Sequence, residues 1–257
     1  MTTTKKIDWK NKLILAPLTK GGHVPFRQLC ENYGADITVS EMAYAFKLVK
    51  GDRRERALLR RTSEKGIFGV QLAAQKAPFA IEAAQMAMDK GADFIDLNCG
   101  CPIHDTVKRR MGSYLLKKPA QLGSLVERLV KGSDLPVTVK IRSGWDEDNI
   151  NALEVAKILE ESGAEAITLH GRTRSQRYAK SANWDLIRKV SEHVSIPVIG
   201  NGDIFTYYEA NQRKERGQCS SLMIGRGALI KPWIFKEIKD QKSWEPTAKE
   251  RVEVYKL

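Results

Sequence analysis

A short apolar run that ends in polar or glycine residues, followed by a longer helical stretch, recurs eight times along this chain. The runs are Leu13–Leu18, Ala35–Met42, Ile67–Ala73, Phe94–Gly100, Pro136–Arg142, Ala166–Gly171, Pro197–Gly202 and Ser221–Gly225. Several, such as Pro-Val-Thr-Val from Pro136 and Ile-Pro-Val-Ile from Ile196, lack strict alternation, as parallel strands covered on both faces do. Helical patterns such as Ala77–Lys90 and Asn151–Glu161 lie between them. Three helices close on Gly-Ala-acid before the next strand, at Gly34, Gly91 and Gly163, where a helix C-terminus calls for positive φ. Eight β-then-α units in roughly 230 residues predict a (β/α)8 TIM barrel. A doubly wound open sheet would need fewer strands or a break in the pattern.

Composition narrows the setting. With 257 residues the chain is long enough for one barrel, and 42% hydrophobic content excludes a disordered chain. No apolar run approaches the ~18 residues of a membrane span. Residues Met1–Lys6 hold no apolar signal core, so a cytoplasmic protein is expected. Four cysteines at this length are not a disulfide framework. The net charge of +12 raises the possibility of a polyanionic partner. The reading divides the chain into a barrel over residues 1–245 and the start of a truncated helical domain over residues 246–257.

In this fold the chemistry sits on the loops that follow the strands. Those positions carry Ala16-Pro17-Leu18-Thr19, Ser40-Glu41-Met42, Gly69-Val70-Gln71, Asn98-Cys99-Gly100-Cys101-Pro102, Lys140-Ile141-Arg142, His170-Gly171-Arg172, Asn201-Gly202-Asp203 and Gly225-Arg226-Gly227. Barrels often hold a phosphate between the loops after strands seven and eight, where glycine lets a ligand approach the backbone closely. The two glycine loops there fit a phosphate-bearing ligand, and Arg226 adds a charge-assisted donor. Lys140 has three open readings: a Schiff-base amine, a donor to an anionic ring, or a partner for Glu41. Gln71 both donates and accepts, so with Lys140 it suits the pyrimidine edge of a flavin. Cys101 lies on a mouth loop between glycine and proline, whereas a packing role is the commoner fate of a free thiol. Cys99 and Cys101 could form half a metal site, but no second cysteine pair completes it, and no metal is expected. Among the histidines, His170 beside the phosphate loops is the best candidate; His23 and His104 lie on mouth loops, and His193 ends a helix. Three basic runs, Lys47–Arg61, Lys108–Arg110 and Arg172–Lys180, are read as leaving the mouth side toward a polyanion.

These residues resemble the tRNA-dihydrouridine synthases, flavin enzymes that reduce specific uridines in RNA with NADPH. The resemblance runs from about Leu13 to the end of the chain. It rests on Ala16-Pro17-Leu18-Thr19, Pro25-Phe26-Arg27, Gly69-Val70-Gln71-Leu72, Asn98-Cys99-Gly100-Cys101-Pro102, Val139-Lys140-Ile141-Arg142, His170-Gly171-Arg172-Thr173, Gly200-Asn201-Gly202-Asp203 and Gly225-Arg226-Gly227-Ala228. It implies FMN bound by Pro17, Leu18, Thr19, Gln71, Lys140, His170, Asn201, Gly202, Asp203, Gly225 and Arg226. It further implies NADPH as reductant, hydride delivery to uracil C6, and Cys101 as the donor of a proton to C5. Asn98 and Arg142 are then candidates for the uracil edge, and Arg172 and Lys180 for backbone phosphate. The expected partner is tRNA, with the protein a monomer. Gln176-Arg177-Tyr178 and Ala228–Trp233 are most similar to the branch acting at tRNA position 47. Two departures bear on that target: only Gly112 remains of a glycine-rich run common in the family, and His104 stands where many of that branch carry Asp. The family also carries a C-terminal helical domain that helps grip tRNA, of which the first turns are expected here. Two other readings remain: a Schiff-base lyase or synthase acting through Lys140 on a sugar phosphate, and a non-catalytic RNA-binding barrel.

Overall fold

The apolar runs become parallel strands wrapped into a closed ring. A computed structural model describes residues 6–63 and 66–254, so Met1–Lys5 and the end of the tail lie outside the described residues. The ring consists of β1 (Leu13–Leu15), β2 (Ile37–Val39), β4 (Ile67–Ala73), β5 (Phe94–Cys99), β6 (Val137–Arg142), β7 (Ala166–His170), β8 (Val198–Asn201) and β9 (Ser221–Ile224). Each pairs in parallel with its neighbours, and β9 returns to β1 through Ile14 opposite Met223, which closes the barrel. Ile67–Ala73 matches the sequence reading, and the other strands are trimmed at their ends.

One run is broken. After β2 the chain leaves the ladder at Ser40–Met42 and rejoins the upper part of β4 as the two-residue β3 (Ala43–Tyr44). The Ser40 hydroxyl accepts the Gln71 amide at 3.0 Å, taking a ladder position that a carbonyl would otherwise fill.

The barrel has two apolar layers. Inside, Ile14, Ile37, Phe94, Ala166, Ile199 and Met223 fill the lower half, and Ile7 and Trp9 close the floor. The Trp9 ring meets Phe94 edge-on at 5.1 Å. Gly69 makes room for that ring, because a Cβ there would lie 2.2 Å from it. Outside, strand residues such as Val70, Leu97, Val139 and Leu169 pack under helices that include α4 (Ala77–Met88), α6 (Pro119–Gly132), α7 (Ala152–Glu161) and α8 (Trp184–His193). Each such side chain stabilises the fold by about 1.5–3 kcal/mol when fully buried. Above the floor, most inward strand positions carry polar side chains, among them Gln71, Asn98, Lys140, His170 and Asn201.

The basic run Lys47–Arg61 is not one helix leaving the mouth. It divides into α2 (Ala45–Val49) and α3 (Arg53–Ala57), separated at Gly51 with φ +85°. Asp52 caps α3 by accepting the amides of Arg54 and Glu55. Arg61 lies at the strand-start end, paired with Asp93 at 2.9 Å just before β5, so it faces away from the mouth. Helix α5 (His104–Lys108) follows the cysteine loop, and α9 (Tyr207–Gly217), α10 (Arg226–Ile230), α11 (Ile234–Asp240) and α12 (Ala248–Val254) complete the chain after α1 (Val24–Asn32). Among the described residues no helix is long and apolar enough to cross a membrane.

Candidate active site

Because side chains alternate along a strand, one parity of each upper strand points inward. Gln71 stands in register with Asp96, Asn98 with Lys140, Arg142 with His170, and His170 with Asn201. All of these but the buried Asp96 line a cavity of about 430 Å³ at the C-terminal mouth, within the size range of cofactor sites. Pro17, Leu18, Thr19, Gly202, Asp203, Gly225, Arg226 and Cys101 line it too. Fourteen of the twenty-five lining residues are site residues expected from the sequence; Arg172 and Lys180 are the expected residues that do not reach it, and apolar wall residues such as Ile103, Ile204, Phe205 and Leu229 were not expected.

A buried hydrogen-bond chain crosses the floor of this cavity. Thr138 Oγ1 donates to Asp96 Oδ1 at 2.7 Å, and Gln71 Nε2 donates to Asp96 Oδ2 at 2.6 Å. Gln71 Oε1 accepts from Asn98 Nδ2 at 2.8 Å, and Asn98 Oδ1 accepts the Cys101 amide at 2.9 Å. Asn98, expected at a substrate edge, thus already spends its amide on tying the cysteine loop to the barrel wall. Asp96 was not singled out from the sequence. Its signal was there: it shares strand parity with Asn98, and a carboxylate inside an otherwise apolar strand is costly unless it has a task. Burial pushes the Asp96 carboxyl up, against the pull of Gln71, Thr138 and Lys140.

Lys140 Nζ donates to Asn201 Oδ1 at 3.1 Å, and Asn201 Nδ2 donates to the Met223 carbonyl at 2.8 Å. Of the three readings, pairing with Glu41 does not occur, since the Glu41 carboxylate accepts the Lys20 amide at 2.6 Å. Burial and then the neighbouring Arg142 pull the Lys140 ammonium down, while Asp96 and Cys101 hold it up. His170 is driven well below its ordinary value by burial, then by Lys140, Arg142, Arg172 and Arg226, so its imidazole is neutral at physiological pH.

The two thiols of the cysteine motif separate cleanly. Cys99 is fully buried in the outer apolar layer, and burial together with Asp96 raises its thiol far above the ordinary range. Cys101 opens onto the cavity. Its Sγ lies 3.7 Å from Thr106 Oγ1, which in turn meets the Tyr44 hydroxyl at 2.8 Å. Ser113 fixes the Cys101 carbonyl from both its amide and its hydroxyl. Gly112, at φ +62°, passes so close that a Cβ would stand 2.9 Å from that carbonyl, which explains why a glycine is kept here. Cys30 and Cys219 are buried elsewhere. Among the described residues no group of three or more His, Cys, Asp or Glu is placed to hold a metal ion.

The arginines correct part of the sequence reading. Arg172, expected to hold RNA phosphate, is only 3% exposed, and its Nη2 lies 2.7 Å from both Asp203 carboxylate oxygens. The same carboxylate accepts Arg226 Nη2 at 2.9 Å and the Ala182 amide at 2.7 Å. At the cavity's edge the Asp203 carboxylate is thus taken up by arginines, and it holds Arg226 at the rim. Lys180 is exposed and paired with Glu147 at 2.6 Å. Arg142 donates to the Gly100 and Thr173 carbonyls, at 3.0 and 2.8 Å. Tyr178 covers Arg226, its ring centroid 4.2 Å from the guanidinium carbon. His23 caps α1 by accepting the Phe26 amide, and His104 stands exposed beside Asp105.

A model of the dihydrouridine synthase family matches residues 14–256. The chain belongs to the dihydrouridine synthase family. It is 43% identical over 257 residues to a "tRNA-dihydrouridine(47) synthase [NAD(P)(+)]-like" protein of Arabidopsis thaliana, covering 98% of this chain and 37% of that one. It is 39% identical over 250 residues to "tRNA-dihydrouridine synthase B" of Pasteurella multocida, covering 95% of this chain and 75% of that protein. The chain thus spans 37% to 40% of the length of the plant, fungal and animal relatives it matches. Among solved structures, histamine dehydrogenase from Rhizobium sp. 4-9 superposes with a TM-score of 0.67 at 15% identity, over 90% of this chain and 46% of that one, which supports the barrel fold. The family expectation drawn from the strand-end motifs holds.

Proposed function

We propose that this chain carries the catalytic barrel of a flavin-dependent enzyme that reduces uridine in tRNA to 5,6-dihydrouridine, with FMN as the flavin and NADPH as the reductant. The observation that carries the proposal is the placement of Cys101 Sγ in the same cavity as Lys140 and the two glycine loops, in a chain of this family. The donor set fits a flavin mononucleotide. Ala16, Leu18 and Met223 offer an apolar wall, Gln71, Lys140 and His170 a polar one, and Arg226 with Gly202 and Gly225 a cationic, open-backboned rim for a phosphate. When bound there, reduced FMN supplies the hydride that uracil C6 accepts.

The protein's own groups do the rest. Cys101 Sγ holds the proton that passes to C5, leaving a thiolate that is reprotonated from solvent or through the Thr106 hydroxyl beside it. A positioned thiol suits this role as a general acid. Lys140 presents a positive charge to the flavin ring, and the Asp96–Gln71–Asn98 chain holds the cysteine loop at the right depth. His170, kept neutral, lines the cavity without adding to its charge. Arg142, which lines the cavity with Nη2 free of any protein partner among the described residues, is the donor left for a uracil carbonyl. The target base must leave the RNA stack to enter such a mouth. The relatives named for position 47 support that uridine as the target. Four free thiols are in keeping with action in the cytoplasm.

The test is direct. Purified protein incubated with FMN, NADPH and an unmodified tRNA transcript should yield a uridine two hydrogens heavier by mass spectrometry, at position 47. A covalent adduct trapped on Lys140 by borohydride and a small carbonyl compound, with no RNA reduction, would replace this reading by the Schiff-base one.

A further inference from the structure

A second cavity, of about 280 Å³, opens on the mouth side between α2, the beginning of α4 and the loop that follows α5. Phe46, Phe79 and Met111 form its apolar walls, and Lys50, Lys76 and Arg109 converge on it with no acidic side chain in the lining. Among the described residues none of these three cations has an ion-pair partner, although Lys47 nearby takes Glu55 and Arg61 takes Asp93. The Arg109 guanidinium lies over the Phe46 ring, 5.4 Å from its centroid. Helix α4, twelve residues long, begins at this rim with no side chain capping it, so the positive end of its dipole adds to the cations.

Such a combination selects a ligand class. Three uncompensated cations ask for an anion, but a small inorganic anion would leave the aromatic walls unused. A ring that stacks on Phe46, offers an edge to the half-buried Gln75 amide and carries a phosphate uses every wall. The pocket also adjoins the reaction site. Phe46 touches Tyr44 at a centroid distance of 6.0 Å, and the Tyr44 hydroxyl reaches Thr106 beside Cys101. Lys108 and Arg110, both exposed, flank Arg109 and continue a track for phosphates.

We propose that this pocket binds one nucleotide of the RNA adjacent to the reduced uridine, its base stacked on Phe46 and its phosphate held by Lys50, Lys76 and Arg109. The proposal rests on the reading of the chain as an RNA uridine reductase and adds a second anchoring site to it. Holding a neighbouring nucleotide outside the catalytic cavity would keep the extruded base from falling back into the stack.

The experiment compares wild type with Phe46→Ala and with the double variant Lys50→Glu/Lys76→Glu, all loaded with FMN. Binding of an unmodified tRNA transcript is followed by fluorescence anisotropy across a salt series. Phe46→Ala should weaken binding about tenfold, the scale of losing one stacked base. The double reversal should weaken it more and flatten the salt dependence by about two phosphate contacts. NADPH-driven flavin reduction without RNA should be unchanged in both. Unchanged RNA affinity would overturn the proposal. So would a raised KM for NADPH with RNA affinity intact, which would give the pocket to the dinucleotide instead. Lys50 and Lys76 are exposed, so the charge variant keeps the test valid if Phe46→Ala fails to fold. Titration with adenosine 5′-monophosphate, followed by NMR line broadening that Lys76→Glu abolishes, reads the pocket independently of turnover. Wild-type protein that binds the mononucleotide there yet never reduces tRNA would sink the catalytic reading alone; absence of both signals sinks the pocket.

Discussion

Replacing Asp203 with Asn isolates what the arginine clasp beneath the rim contributes. The position has φ +52°, which Asn tolerates nearly as well as Asp, so the backbone is not perturbed. What changes is one charge and one acceptor. In the native protein, burial raises the Asp203 carboxyl, but the Ala182 amide, the Arg172 hydrogen bonds and the charges of Arg172 and Arg226 outweigh it and keep it low and ionised. Arg172 has a side chain 4% exposed, so it cannot recover water when the carboxylate is lost, whereas Arg226 at 37% can. Removing one partner of a buried ion pair costs roughly 3–5 kcal/mol. Asn retains one acceptor oxygen, which places the expected loss near the lower end, about 3 kcal/mol. For a chain of this size that is a fall in melting temperature of roughly 6–12 °C. Thermal unfolding by circular dichroism at neutral pH measures it. The internal control is Asp185→Asn, which breaks a fork-like pair with Arg216, Nε and Nη2 to the two carboxylate oxygens at 2.7 and 2.5 Å, on an exposed surface. That change should leave the melting temperature where it was, because exposed pairs contribute little. Equal melting shifts for the two variants would refute the argument that burial, rather than hydrogen-bond geometry, gives the Asp203 clasp its strength.

Cys101→Ala should leave the protein folded and flavin-bound, while reoxidation of reduced enzyme by tRNA slows a hundredfold or more in single-turnover mixing, the scale of a lost general acid. Cys99→Ala should instead lower stability by about 1–2 kcal/mol with little change in that rate, because its sulfur packs in the outer layer. His170 predicts an acid limit. Its folded value lies below the unfolded one, so the unfolded chain binds the extra proton, and stability falls as pH drops below about 6.5, by up to ~1.4 kcal/mol per unit until the folded value is reached. Urea denaturation between pH 7 and pH 5 should show that slope in wild type and a shallower one in His170→Gln. Gly227→Ala places a Cβ 2.1 Å from the Ile204 carbonyl oxygen, and should cost about 3 kcal/mol or more and release the flavin on gel filtration. A melting point equal to that of wild type would show that the phosphate-side loop gives way more easily than its packing suggests.

What the sequence determined by itself was periodic and local. Strand runs such as Ile67–Ala73 are written in apolar residues, and chain direction alone decides which end of a parallel strand bears a functional loop. That is why the order of residues alone places Gln71, Lys140, His170, Asn201 and Arg226 at one mouth. Alternation alone would set Cys101 on the same face as Cys99; it is the turn of the chain beyond the end of β5 that sends Cys99 into the outer layer and Cys101 to the cavity. Closure of the barrel decided the rest, because the partner of a charged side chain is set by approach in space. Arg172 reads as a surface cation until Asp203, thirty-one residues later, is folded against it. Arg61 belongs to a basic run by sequence, yet it serves Asp93 at the opposite end of the barrel. Asp96 is buried at 2% exposure between Gln71 and Thr138, which lie on the two adjacent strands. The second pocket gathers Phe46, Lys76 and Arg109 from three separate loops and helices, and no window of sequence contains them together. Short-range periodicity is fixed by backbone geometry, but desolvation and charge pairing depend on which strands become neighbours, and only the folded chain supplies that.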